Sequence, residues 1–346
     1  MRRIGSILTT ALVAGAFLSA IGPAAAVDPS PVNGRILFTH CDEATGCHIY
    51  TVNPDGSALR RVTSEGDNFM GDWSPNGETI TYVGTASGDV AIWIANADGS
   101  DPRQLTPDDP GSDNFWPRFA PSGRRILFTN CLGDDCDGGI GSVRPDGTHL
   151  RLVKPNSGES YNMADLSPGG GRMAYMRWHV DGVKMAIYVS DADGENEQRI
   201  TPPRLQGWNP DWSPLRGRIL FASEVFFDRP APSLYSVRPD GSGLRALTQP
   251  PFPHADWGGA YSPDGAQIVF NSDRRYTDLC CGDLFTIGAA GDDRHRIRLP
   301  FDAYEARWGP APVLPADASA SPRVAAGPGG SPCSFVPALS ATPMCQ

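Results

Sequence analysis

The chain has 346 residues, a formal net charge of −10 and eight cysteines. An acidic surface of that size argues against a nucleic-acid partner, whose phosphates need a basic face, and against docking on anionic lipid. Taking the chain in order, Arg2 and Arg3 form a short positive head, residues 4–21 are an apolar and small-residue run, and Ala24-Ala25-Ala26 supplies the small residues a signal peptidase needs. A secretory leader over residues 1–26 is expected. With it come export to the cell envelope or the medium and no integral membrane segment after cleavage. In an exported chain an even number of cysteines reads as disulfides.

Self-similarity follows at once. A short tag recurs as Ser30-Pro31-Val32-Asn33-Gly34, Ser74-Pro75-Asn76-Gly77, Ala120-Pro121-Ser122-Gly123, Ser167-Pro168-Gly169-Gly170, Ser213-Pro214-Leu215-Arg216-Gly217 and Ser262-Pro263-Asp264-Gly265, at spacings of 44, 46, 47, 46 and 49 residues. A period in the mid-forties is that of a four-stranded propeller blade. After each tag comes a short aromatic and β-branched run (35–39, 79–83, 125–129, 172–176, 218–222, 267–271), then a second one (48–52, 91–95, 139–143, 186–190, 233–237, 283–287). Both have strand character. An Asp-Gly turn follows, as in Asn53-Pro54-Asp55-Gly56, with a degenerate sixth copy at Gly291-Asp292-Asp293. Asp-Gly supplies the positive φ of a tight hairpin. A third strand ends in Leu-Thr or a relative, and a fourth closes on Trp73, Phe119, Leu166, Trp212, Tyr261 and, near the C-terminus, Trp308.

The first tag has no closing strand before it, and Trp308 has no tag after it. If residues 304–308 pair beside 35–39, the ring closes and no sheet edge is left open between first and last blades. The expectation is an all-β, six-bladed propeller over residues 27–310, followed by a Pro/Ala/Ser-rich flexible tail over 311–346.

Strand order puts the tags and Asp-Gly turns on one face and the other loops on the second. Four residues before each closing position stand Phe69, Phe115, Asn162, Trp208, Trp257 and Tyr304. The aromatic members offer a ligand-binding rim for peptide or sugar; the alternative is that they wedge between blades. One residue before each closing position stand Asp72, Arg118, Asp165, Asp211, Ala260 and Arg307. This mixed ring would line the central tunnel, holding a ligand or pairing with itself. His40, His48, His179 and His254 fall on loops or strand ends of the second face without metal-ligand spacing, so no metal or other cofactor is expected. Cys41 with Cys47 and Cys131 with Cys136 bracket two hairpins and are disulfide candidates. Cys280, Cys281, Cys333 and Cys345 pair either between loop and tail or as Cys333 with Cys345.

Six tags in register over residues 30–310 resemble the TolB-type, WD40-like repeat of bacterial envelope propellers. That resemblance implies an extracytoplasmic protein-interaction platform. The same repeat forms non-catalytic propellers of prolyl-oligopeptidase-like peptidases and some polysaccharide lyases. TolB's N-terminal α/β domain has no counterpart between leader and first tag, so TolB's own partners are not carried over. The Gly-x-Ser-x-Gly elbow of a peptidase is missing from the sequence, so no catalytic residue is assigned. The expected function is an extracytoplasmic scaffold binding an envelope or extracellular protein, peptide or glycan. The alternative is a propeller-type carbohydrate-active enzyme, a lyase or hydrolase, working through the channel carboxylates, Arg118, Arg307 or the histidines.

Overall fold

The computed structural model describes residues 32–312 except 110, 134–135, 157, 180–184, 226–228, 252 and 274–281. The leader, Cys280, Cys281, Cys333, Cys345 and all but the first two residues of the tail lie outside the described residues.

Among the described residues, twenty-four strands form six antiparallel four-stranded sheets. Blade 1 is built from β1 (Ile36–Asp42), β2 (Gly46–Val52), β3 (Arg60–Arg61) and, as its inner strand, β24 (Tyr304–Trp308). Blade 2 holds β4 (Asn68–Trp73), β5 (Thr79–Gly84), β6 (Ala91–Asn96) and β7 (Arg103–Gln104). Blade 3 holds β8 (Ser112–Phe119), β9 (Ile126–Leu132), β10 (Asp137–Val143) and β11 (Arg151–Lys154). Blade 4 holds β12 (Glu159–Leu166), β13 (Arg172–His179), β14 (Ala186–Asp191) and β15 (Gln198–Arg199). Blade 5 holds β16 (Leu205–Trp212), β17 (Ile219–Val225), β18 (Arg229–Val237) and β19 (Arg245–Ala246). Blade 6 holds β20 (Asp256–Tyr261), β21 (Gln267–Ser272), β22 (Asp283–Gly288) and β23 (His295–Ile297).

Each recurring motif has a bond to make. In the tags, the Gly N–H donates to the carbonyl of the first residue, as Gly77 does to Ser74 and Gly265 to Ser262. In the Asp-Gly turns, the Asp carboxylate accepts from the backbone two residues on, as Asp55 does from Ser57 and Asp98 from Ser100. Glycine is required there: Gly99 has φ 88°, and a Cβ on it would lie 2.0 Å from the Val62 carbonyl oxygen of blade 1. The threonine of Leu-Thr closes the second strand. Thr63, Thr106, Thr201 and Thr248 accept from the N–H of Ile49, Ile92, Ile187 and Leu234.

The ring closes between β1 and β24, with Ile36 opposite Trp308 and Thr39 opposite Tyr304. Gly34 N donates to Gly309 O, Arg35 N to Ala311 O, and the Trp308 indole to Gly34 O at 3.0 Å. The core lies between sheets: residues such as Phe38, Phe221 and Phe270 are fully buried. Among the described residues no helix is long and apolar enough to cross a membrane.

Candidate functional site

Alternate blades of a six-membered ring meet only at its axis, and side chains of blades 1, 3 and 5 meet here. Arg307 of blade 1 donates from Nη1 to Asp211 Oδ1 at 2.8 Å and from Nη2 to Asn209 Oδ1 at 2.9 Å, both on blade 5. Arg118 of blade 3 donates from Nη2 to the same Asn209 oxygen at 3.3 Å. Trp116, also on blade 3, faces the Glu305 carboxylate of blade 1 and favours its ionised form. Arg118 and Arg307 are buried. The mixed ring read from sequence is therefore a polar plug whose guanidiniums lie across the axis.

The three aspartates of the ring also staple neighbouring blades. Asp72 Oδ2 accepts from Phe119 N at 2.8 Å, Asp165 Oδ2 from Trp212 N at 2.6 Å, and Asp211 Oδ2 from Tyr261 N at 2.8 Å. Each reaches the closing residue of the next inner strand. Ala260 has no polar atom to do this, and Arg118 and Arg307 use the same position to cross the axis.

Burial raises every carboxylate of the plug. Asp72 is pushed up to about 6, with Arg118 and the Phe119 N–H opposing. Glu305 is pushed up to about 7, again by burial and against Arg118. Burial lifts Asp165 and Asp211 as well; the Asp72 carboxylate adds to both rises, and Asp165 adds to that of Asp211. Arg307 at 2.8 Å favours the ionised form of Asp211 and opposes that rise.

Sequence reading missed Asn209, Glu305 and Trp116. Each inner strand carries a bulge: pairing shifts between Phe69 and Asp72, Phe115 and Arg118, Asn162 and Asp165, Trp208 and Asp211, and Trp257 and Ala260. The β1–β24 register shifts likewise. The residue after the aromatic column takes a positive φ: Met70 55°, Trp116 49°, Met163 55°, Asn209 52°, Gly258 62° and Glu305 49°. Bulging breaks the alternation of sides, so counting by twos does not find these residues. One signal was available: the next position is always small or proline (Gly71, Pro117, Ala164, Pro210, Gly259, Ala306). A Cβ on Gly71 would lie 2.5 Å from Leu37 Cδ2, and one on Gly259 2.8 Å from Leu220 Cδ2. That column packs against the preceding blade.

The aromatic column is inside the protein. Phe69, Phe115, Trp208 and Trp257 are 4–7% exposed and belong to one core cluster, against which the half-buried Tyr304 packs. Asn162 is buried too and donates to Ser160 Oγ. The geometry is that of wedges between blades.

On the face opposite the tags, disulfides join Cys41 to Cys47 and Cys131 to Cys136. They clip the β1–β2 and β9–β10 hairpins. His40 and His48 stand opposite each other on β1 and β2 and are buried, on strands rather than loops. His40 stacks on Phe301 at 3.9 Å and bonds Asp302 Oδ1 at 2.9 Å, while His48 bonds Thr45 O at 2.8 Å. His254 Nδ1 lies 3.5 Å from Asp273 Oδ1. His179 ends β13, and its side chain lies outside the described residues. Among the described residues no three His, Cys, Asp or Glu side chains group as metal ligands.

No family profile matches the chain. An uncharacterised protein of Agrobacterium fabrum is 29% identical over 153 residues, 43% of this chain and 50% of that protein. Among solved structures, TolB from Acinetobacter baumannii superposes with a TM-score of 0.65 at 18% identity, over 80% of this chain and 66% of that one. A chain in the crystal structure of a nidogen/laminin complex superposes with a TM-score of 0.62 at 12% identity, over 80% of this chain and 99% of that one. This chain thus spans half the length of its Agrobacterium relative and 66% of that TolB chain. In fold, it is a six-bladed β-propeller of the kind seen in TolB.

Proposed function

We propose that the chain is exported and serves as a binding scaffold for a protein, peptide or glycan of the cell envelope or medium. Its contact surface is the face that bears the clipped hairpins. The observation that carries this reading is the pair of disulfides, Cys41–Cys47 in blade 1 and Cys131–Cys136 in blade 3. Loops this short gain only about 2 kcal/mol from cross-linking, and the hairpins are already laddered on both sides. What the bridges add is stiffness at the loop tips, which lowers the ordering cost of binding. The leader-like residues 1–26 support export, where such bridges persist. The propeller chain in the nidogen/laminin complex is in keeping with protein binding.

The test is affinity capture from envelope and secreted fractions of the producing organism, with residues 27–346 as bait. The control bait carries Cys41→Ser, Cys47→Ser, Cys131→Ser and Cys136→Ser. A partner that leaves the unclipped bait about tenfold faster supports the reading, since looser loops pay more to order. Equal release, or nothing captured by either bait, sinks it.

A carbohydrate-active enzyme is the second reading, favoured by Glu305 and Asp165, whose raised pKa values suit a general acid. Cleavage of a polysaccharide that is lost in Glu305→Gln would replace the scaffold reading.

A further inference from the structure

On the tag face, blade 3 departs from its siblings. Its β8–β9 turn carries Arg124 and Arg125, and its β10–β11 turn starts with Arg144. Between the two turns lies a cleft of about 590 Å³ lined by Ser122, Arg124, Arg125, Arg144, Pro145 and Asp146. Blade 5 supplies an internal comparison. Arg218 precedes β17 as Arg125 precedes β9, and Arg238 follows β18 as Arg144 follows β10. Arg218 is consumed by its own blade: it donates to Ser236 Oγ at 3.1 Å, to Ser236 O at 3.0 Å and to Gly243 O. Arg238 reaches Ser242 Oγ at 3.4 Å. Among the described residues, the guanidiniums of Arg124, Arg125 and Arg144 have no protein acceptor and no carboxylate within 4.0 Å. Asp146, the acidic member of the lining, has Oδ1 engaged by Thr148 N at 2.9 Å and Thr148 Oγ1 at 2.6 Å. Arg144 is attracted to the Asp146 carboxylate of the same lining without an ion pair within 4.0 Å, so three guanidiniums with no hydrogen-bonded acceptor face one cleft on a chain of net charge −10.

The same hairpin carries a second anomaly. β11 has four residues, whereas β3, β7, β15 and β19 have two and β23 has three. It is the outer strand of its sheet. Leu152 in β11 and Leu150, one residue before the strand, are 49% and 44% exposed. Leu132, Leu215 and Val32 are the other exposed large apolar residues among those described. A long outer strand with an exposed apolar side is a template for strand addition.

We propose that this corner of blade 3 binds an extended acidic polypeptide segment. Its carboxylates enter the arginine cleft, its backbone pairs along β11 as a fifth strand, and its alternate apolar side chains cover Leu150 and Leu152. Guanidinium forks match carboxylates bidentately, which sets the sign and type of charge. The open ladder selects a polypeptide over an acidic glycan, because a sugar chain has no matching N–H and C=O row. This site is on the tag face and is independent of the clipped-hairpin surface proposed above.

Fluorescence anisotropy on the full chain with labelled Ac-ELELELE-NH2 tests it. Saturable binding that weakens with salt is expected. Arg124→Ser with Arg144→Ser should weaken it about tenfold or more, the loss of charge-assisted hydrogen bonds. Leu150→Ser with Leu152→Ser should weaken it several-fold. All four positions are exposed, and unchanged melting by circular dichroism confirms that the variants fold. Ac-ELEPELE-NH2, of equal charge but unable to complete a ladder, should bind at least about tenfold more weakly. Hydrogen exchange should slow at the β11 amides when the first peptide binds. No binding, equal binding by either variant, equal binding of the proline peptide, or equal competition by an oligogalacturonate of the same charge would overturn the proposal.

Discussion

Asp72, Asp165 and Asp211 each hold a neighbouring blade by one oxygen while standing in a crowded polar centre. Their position was legible as a column counted back from the closing residues. The other members of that centre were not, because the bulges put Asn209, Glu305 and Trp116 at positions that strand alternation assigns elsewhere. The aromatic column was equally legible in position, and whether it packs or protrudes is a matter of burial that composition alone does not decide. A pH dependence follows from the plug. Asp72 and Glu305 titrate near 6 and 7 when folded, and Asp165 is raised in the same sense. Unfolded, they titrate near 4. Between these values the folded state binds more protons, so stability falls as pH rises from about 4 to about 7. His48, lowered by burial and Arg61, works the other way below its ordinary value. The turn aspartates, lowered by their Ser or Thr partners, lose their contribution only in stronger acid. Urea midpoints should drop between pH 5 and pH 8, and Asp72→Asn with Glu305→Gln should flatten that drop. A drop of the same size in the double variant would count against the plug as its origin.

At the scale of strands and turns, sequence reading went furthest, because each motif makes a local bond that recurs. The sixth Asp-Gly turn looked degenerate, yet Gly291 donates to Gly288 O as its counterparts do. There Ala290 stands in the aspartate position, so the glycine conformation and not the carboxylate is the invariant need. The first-to-second-strand hairpins run longer than expected in blades 1, 3 and 5, and cysteines clip the first two. Leu-Thr gives a clean test. Thr106→Val keeps the shape and strands the buried Ile92 N–H, so it should cost about 1–3 kcal/mol in denaturant unfolding. Thr106→Ser keeps the hydroxyl and should cost less than half as much. Equal losses would mean that packing of the methyl group, not the hydrogen bond, accounts for the motif.

Blade number and closure were readable from six tags, a first blade one strand short and one strand left over after the last blade. The polar centre that ties blades 1, 3 and 5 was not, because it depends on residues more than ninety positions apart meeting across the axis. Removing residues 304–346 deletes β24 and leaves β1 as a long edge. It also removes Glu305 and Arg307 from the centre. The truncated chain should be destabilised by at least about 5 kcal/mol, comparable with the whole stability of an ordinary domain, and should self-associate through the open edge. Urea unfolding with size-exclusion chromatography would show this; a monomer with an unchanged midpoint would mean that closure is dispensable.

The repeats look interchangeable when written one beneath another, yet the axis makes each blade individual. Asn209 must face Arg118 from two blades away on one side and Arg307 from two blades away on the other. Cutting the chain between any two blades and joining the old ends preserves cyclic order, and with it every contact at the hub. Exchanging blade 3 with blade 4 keeps the same six modules but puts Arg118 in the blade next to Asn209 instead of two blades away, with Asp165 in its former place. The molecule therefore tolerates rotation of its gene but not shuffling, which ties its evolution to point change within blades rather than to their duplication.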